Sequence, residues 1–225
     1  MIGTVLALTA LASSVYGTIM GMIRNGIFTF TYFTTLSNVM VSISTLIWLL
    51  VRWQKRESLG FRGEHFFMAF HFVTAISISV TFLVYLLILA PTHRDGFIGA
   101  YQYNHYASTA AHLISPITSM LHYIYFDRKI IAKKYLTICS LSFPLAYLFY
   151  TLGLGKLGVR WGSKIMPYNF LNFDAACGWF GFRPDTIGSD SLGIGVAYVI
   201  VFLFFFFLLI GKGIFAWKSK SLRRV

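Results

Sequence analysis

Charge is the scarcest commodity in this chain of 225 residues: 12% are Asp, Glu, Lys or Arg, about half the roughly 25% of an ordinary soluble domain. Acidic residues number only seven, and no clustered cysteine-histidine or carboxylate motif argues for a structural metal. No cofactor is expected. Cysteine is nearly absent too. Cys139 and Cys177 are too few for a disulfide framework, and their expected places, one inside a span and one on a loop, do not pair them. The amino terminus, Met1-Ile-Gly-Thr-Val-Leu-Ala, lacks the basic region of a secretory signal, so its apolar run to about Met22 reads as a membrane span.

What the chain has is apolar length. Hydrophobic residues make up 57% and the mean hydropathy is +0.70. Six runs approach or exceed the ~20 residues that cross a hydrocarbon core about 30 Å thick. The pattern predicts an all-α polytopic integral membrane protein, one domain over 1–225, with spans near 2–22, 27–53, 65–90, 106–126, 135–154 and 191–217.

The net charge of +12 would point to nucleic acid in a soluble protein. Here its distribution fits membrane orientation and anionic headgroups, with no nucleic-acid partner. Thirteen cations fall on the second and fourth connections and the tail: Arg52, Lys55, Arg56, Arg62, Arg128, Lys129, Lys133, Lys134, Lys212, Lys218, Lys220, Arg223 and Arg224. Six fall on the other side: Arg24, Arg94, Lys156, Arg160, Lys164 and Arg183. The positive-inside rule then makes both termini cytoplasmic.

Polar residues inside spans narrow the chemistry. His112 lies in the fourth span, four residues before Pro116. An ionisable group at membrane depth costs about 3 kcal/mol when charged, so it normally faces a cavity or a partner. Pro116 has no amide to give the carbonyl of residue 112 and loosens the helix there. Thr34, in the polar first half of the second span, is expected ~10 Å below the outer face and His112 ~9 Å, at 1.5 Å per residue. Asn38, one turn further, shares a helix face with Thr34. The fifth connection brings Asn169, Asn172 and Asp174 to the same side.

A hydroxyl, an imidazole, an amide and a carboxylate are the parts of acyl transfer: nucleophile, base, oxyanion donor and orienting group. The ordinary alternative for Thr34 is a bond back to the carbonyl one turn earlier. A second pair, His71 in the third span and His122 in the fourth, is expected at one depth near the inner face. Two such histidines clamp a haem iron or hold a metal, or else make hydrogen bonds between helices. Ser13, Gly17 and Gly21, spaced by four, predict a close helix approach.

The segments Tyr32-Phe-Thr34-Thr-Leu-Ser37-Asn38, His112-Leu-Ile-Ser-Pro116 with Asp127-Arg128 downstream, Pro144-Leu-Ala-Tyr147 and Pro167-Tyr-Asn-Phe170-Leu resemble a bacterial family of six-span membrane proteins. That family is similar in turn to the androgen-induced and androgen-dependent-regulator group, hydrolases of fatty acid esters of hydroxy fatty acids that use an intramembrane threonine and a histidine. The resemblance implies a multi-pass protein of the bacterial cell membrane acting on a lipid-like substrate. It implies Thr34 as nucleophile, with Thr35 as the adjacent candidate, and His112 as base. Asn38 and Asp174 are then supporting residues. The competing expectation is a non-enzymatic protein whose polar pocket binds or carries a lipid or small solute, with Pro116 and Pro144 as flexible points.

Overall fold

The computed structural model describes residues 1–53, 61–91, 93, 95–127, 130–162, 164–186 and 192–223. Lys55, Arg56, Arg94, Arg128, Lys129 and Arg224 from the charge pattern lie outside the described residues, as does the side chain of Arg62. Helices dominate: α1 (Ile2–Asn25), α2 (Phe33–Trp53), α3 (Phe61–Val84), the short α4 (Gly96–Gln102) and α5 (Ala107–Thr109), α6 (Ser115–Tyr125), α7 (Leu136–Lys156) and α8 (Val196–Leu222). Among the described residues, β structure is confined to isolated bridges. Five helical stretches are long and apolar enough to cross a membrane: Ile2–Thr31, Phe33–Trp53, Gly63–Leu89, Lys133–Lys156 and Val196–Leu222. The protein is a multi-pass helical membrane protein.

The chain divides into two compact units, Met1–Ser140 with Ile210–Val225, and Leu141–Leu209. In the second, Ile165, Met166, Leu171 and Val196 form a buried cluster against Leu152, Phe170 and Leu203. Lys164 Nζ donates to Asn169 Oδ1 in the same connection. Pro144 sits inside α7.

Contacts between side chains fix the helix directions in the first unit. A Cβ on Gly3 would lie 2.7 Å from the Phe126 ring, and one on Gly17 2.8 Å from Ala111 Cβ. Thus α1 runs antiparallel to α6, and glycine is what permits that approach. Asn38 bonds Ala111 while Trp48 meets His122, so α2 runs parallel to α6. On α3, Tyr85 meets His112 and His71 meets His122, an antiparallel pair. Lys218 near the end of α8 reaches Tyr123, so the two chain termini share one end of this unit.

Three departures from the sequence reading matter. The second span is not one helix from residue 27: Gly26–Thr31 is a 3-10 turn and Tyr32 is extended at φ −92°, ψ 135°. Thr34 is therefore the second residue of α2, in its first turn, rather than two turns down a continuous helix. The fourth span is also interrupted, because Ala110–Ile114 is a π-helical turn between α5 and α6. Its polar residues keep this stretch outside the five apolar spans. A second π turn, Tyr85–Leu89, extends α3.

Candidate functional site

Pro116 explains the unusual winding around His112. The amide of Ser115 bonds Ala110 O, five residues back, so it no longer serves Ala111 as an α-helix would require. The next residue is Pro116, which has no N–H to offer. The carbonyl orphaned by this combination is that of Ala111, not His112 alone as uniform α winding implies. A buried carbonyl without a partner is costly. Asn38 removes the cost by donating from Nδ2 to Ala111 O at 3.1 Å.

The same amide donates to Thr34 O at 2.9 Å. Both Asn38 hydrogens are thus spent on carbonyls, and the side chain is a strut tying the first turn of α2 to the π turn. Its Oδ1 is buried with no hydrogen-bond partner among the described residues. Thr34 is half-buried, and its hydroxyl makes no hydrogen bond among the described residues. The physical reason is its position: Thr34 is the second residue of α2, and the extended Tyr32 breaks the winding that would otherwise set a carbonyl one turn earlier under its hydroxyl. Thr35, by contrast, has its Oγ1 3.3 Å from Thr29 Oγ1.

His112 is held on two sides. Its Nδ1 lies 3.0 Å from Ser108 O and 3.4 Å from Ser108 Oγ. Its ring stacks on Tyr85 with centroids 3.7 Å apart and planes 20° off parallel. A carbonyl oxygen only accepts, so Nδ1 carries the proton and Nε2 keeps a bare lone pair. Tyr85 is fixed in turn, its hydroxyl donating to Ala100 O at 2.7 Å and lying 2.5 Å from Ser108 Oγ. Tyr85 and Ser108 went unmarked in the sequence because neither stands in a motif.

The backbone leading into this segment is strained. Asn104, His105 and Tyr106 have φ of 52°, 54° and 61°, a left-handed conformation that costs a non-glycine residue about 1–3 kcal/mol. Bonds to α1 oppose that cost: Tyr16 Oη donates to His105 O at 2.7 Å and Asn104 Nδ2 to Met20 O at 3.3 Å. Strain and π turns both concentrate where a fold serves a site.

Asp174 is exposed and lies in the second unit, as does the buried Asn172. His71 and His122 are brought together at the opposite end of the first unit, their centroids 5.9 Å apart and planes tilted by 34°. What surrounds them is an ion-pair cluster. His71 Nδ1 stands 3.0 Å and Lys218 Nζ 3.4 Å from Asp127 Oδ2. Lys218, with no exposed surface, also donates to Tyr123 O at 2.7 Å and sits 3.5 Å over the Tyr123 ring. His122 packs edge-on against Trp48 at 4.3 Å, and its Nε2 is buried with no hydrogen-bond partner among the described residues. Among the described residues no group of three or more His, Cys, Asp or Glu side chains is arranged to hold a metal ion.

No protein-family model, no curated protein and no solved structure matches this chain.

Proposed function

We propose that this chain is a six-crossing integral membrane hydrolase of fatty acyl esters, with Thr34 as nucleophile and His112 as general base. The observation that carries the reading is the setting of His112: its Nδ1 faces the Ser108 carbonyl at 3.0 Å, which leaves Nε2 of the neutral ring as the proton acceptor, one residue after the Ala111 carbonyl that Asn38 ties to Thr34 O. The uncommitted Thr34 hydroxyl and the Asn38 strut between Thr34 O and Ala111 O support it. The resemblance of Tyr32-Phe-Thr34 and His112-Leu-Ile-Ser-Pro116 to the intramembrane threonine hydrolases points the same way.

In this reaction Thr34 Oγ1 attacks the ester carbonyl while His112 Nε2 takes the hydroxyl proton and passes it to the departing alcohol oxygen. Water then adds to the acyl-threonine, giving its proton to Nε2, and the fatty acid leaves as the threonine oxygen is reprotonated. Substrate comes from the bilayer, so membrane lipids are the partners.

The sixth crossing in this proposal is the interrupted stretch 107–125, about 28 Å long at 1.5 Å per residue. Chain ends sharing one end of the first unit agree with an even number of crossings. The cation asymmetry puts that end in the cytoplasm, and the resemblance puts the protein in a bacterial cell membrane. Purified Thr34→Ala and His112→Ala variants, assayed separately on long-chain branched lipid esters in detergent, should each lose turnover by at least about 100-fold, the lower range for a missing general base. Undiminished turnover in either variant rules the assignment out. A lipid retained in native mass spectrometry, without labelling by a fluorophosphonate, would favour a binding protein instead.

A further inference from the structure

The interior of the first unit contains a chain of hydrogen bonds that ends on a backbone carbonyl, and its direction follows from counting protons. Tyr85 has one hydroxyl proton. Ala100 O, 2.7 Å from Tyr85 Oη, can only accept, so that proton points at Ala100. Ser108 Oγ lies 2.5 Å from the same phenol oxygen and must then supply the proton of their contact. With its only hydrogen spent, Ser108 Oγ can only accept from its other neighbour, His112 Nδ1 at 3.4 Å. The Ser108 carbonyl, at 3.0 Å, is an acceptor as well. Reversing the chain would leave Ala100 O facing a phenol lone pair at 2.7 Å in a buried setting, where an unmet acceptor is most costly.

We infer that Tyr85 and Ser108 are positioning residues that set the tautomer and plane of the His112 imidazole, through a hydrogen-bond chain terminated at Ala100 O. The tautomer stands independently of the proposed hydrolysis; its catalytic consequence rests on that reading. The Tyr85 ring, 3.7 Å from the imidazole and nearly parallel to it, stops the base from swinging. Its hydroxyl keeps the serine proton turned away from Nδ1. Ser108 is the weak point of the arrangement, since a serine rotor that loses its acceptor is able to turn and donate to Nδ1. That reversal would place the hydrogen on Nε2, the atom required to be bare.

The test is nitrogen NMR of histidine-labelled protein in lipid nanodiscs at mildly alkaline pH, with the His112 signals assigned by their loss in His112→Gln. Wild type should show the Nδ1–H tautomer. Tyr85→Phe keeps the ring stack and removes the hydroxyl, so the Ser108 hydroxyl gains freedom to donate to Nδ1 in competition with its own carbonyl, and the share of the Nε2–H form should rise above that of wild type. The double variant Tyr85→Phe with Ser108→Ala should return to Nδ1–H, because of the two groups facing that nitrogen only the carbonyl of residue 108 then remains. In the ester assay Tyr85→Phe should lower kcat by about tenfold with KM little changed, and the double variant should recover most of it. An Nε2–H tautomer in wild type, or an identical ratio in wild type and Tyr85→Phe, overturns the inference. Tautomers behaving as stated alongside full activity in His112→Ala would sink the hydrolase reading alone.

Discussion

Asn38 Nδ2 and the carbonyl of Ala111 are 3.1 Å apart, and this bond makes good a defect that the helix of Ala111 cannot repair for itself. Removing it tests the strut directly. Asn38→Leu leaves the Ala111 carbonyl without its donor and takes one of two side-chain donors from Thr34 O, which keeps Ser37 Oγ at 2.9 Å. Unmet buried groups cost about 1–3 kcal/mol each in water-soluble proteins, while polar contacts between membrane helices average about 0.6 kcal/mol. The expected loss is about 1–2 kcal/mol on those two scales, read from denaturation in bicelles. Asn38→Asp, which presents acceptors to acceptors, should lose more. Wild-type stability in Asn38→Leu would remove the strut from the account.

A second prediction concerns the buried cluster at the other end of the first unit. Lys218→Met takes the ammonium away from the buried Asp127 carboxylate, whose Oδ2 still faces His71 Nδ1 at 3.0 Å. Breaking one side of such a pair costs about 3–5 kcal/mol, whereas replacing the charges together is far milder. Lys218→Met with Asp127→Asn should therefore be more stable than Lys218→Met alone. A double-mutant cycle of thermal unfolding decides it, and strictly additive effects would show that the pair is not coupled.

Two glycines in long helices should respond in opposite ways to the same substitution. A Cβ on Gly17 would meet Ala111 Cβ at 2.8 Å, while one on Gly153 meets nothing within 4 Å. Gly17→Ala is expected to cost about 1–3 kcal/mol through overpacking. Gly153→Ala should be neutral, or stabilising by up to about 1 kcal/mol from helix propensity. Comparable melting temperatures for the two variants would contradict the close approach of α1 to Ala111.

On the fifth connection the Arg183 guanidinium donates to both Asp185 oxygens, at 3.2 and 3.1 Å. These bonds, ahead of the weaker charge attraction, hold the Asp185 carboxyl below its ordinary value. A depressed carboxyl pKa means that the local pairing is fully present above the unfolded value and is lost as pH falls through the folded one. Carbon NMR of the Asp185 carboxyl should titrate at a lower pH than a free aspartate, and Arg183→Gln should raise that midpoint. No change on removing Arg183 would refute the pairing.

Apolar length announced the helical membrane architecture, because a hydrocarbon core sets the size of what crosses it. Hydropathy did not reveal the break at Tyr32: Gly26–Thr31 is apolar and threonine-rich, and a 3-10 turn has the same composition as a span. Pro116 marked the right segment, yet which carbonyl it orphans depends on the winding of the residues before it, and one-dimensional spacing does not record that. Lys218 was counted with the tail cations that orient the chain, but its stem and ammonium are enclosed beside Asp127 and Tyr123, since α8 continues to Leu222. His112 was legible as a lone ionisable group at depth. Tyr85 and Ser108 were not, because their importance lies in partners distant along the chain.

The π turn at Ala110–Ile114 also acts as a phase shift. A helical-wheel drawing at uniform pitch through residues 107–125 assigns the wrong faces to one half of them, because the turn accommodates one residue more than regular winding would. Deleting a single residue there would let ordinary winding resume while the segments on either side kept their faces, because the turn already absorbs that residue. The same deletion in the regular winding on either side would swivel one part of the helix against the other by about 100°, one residue's arc, so where a one-position alignment gap falls carries more meaning than any substitution beside it.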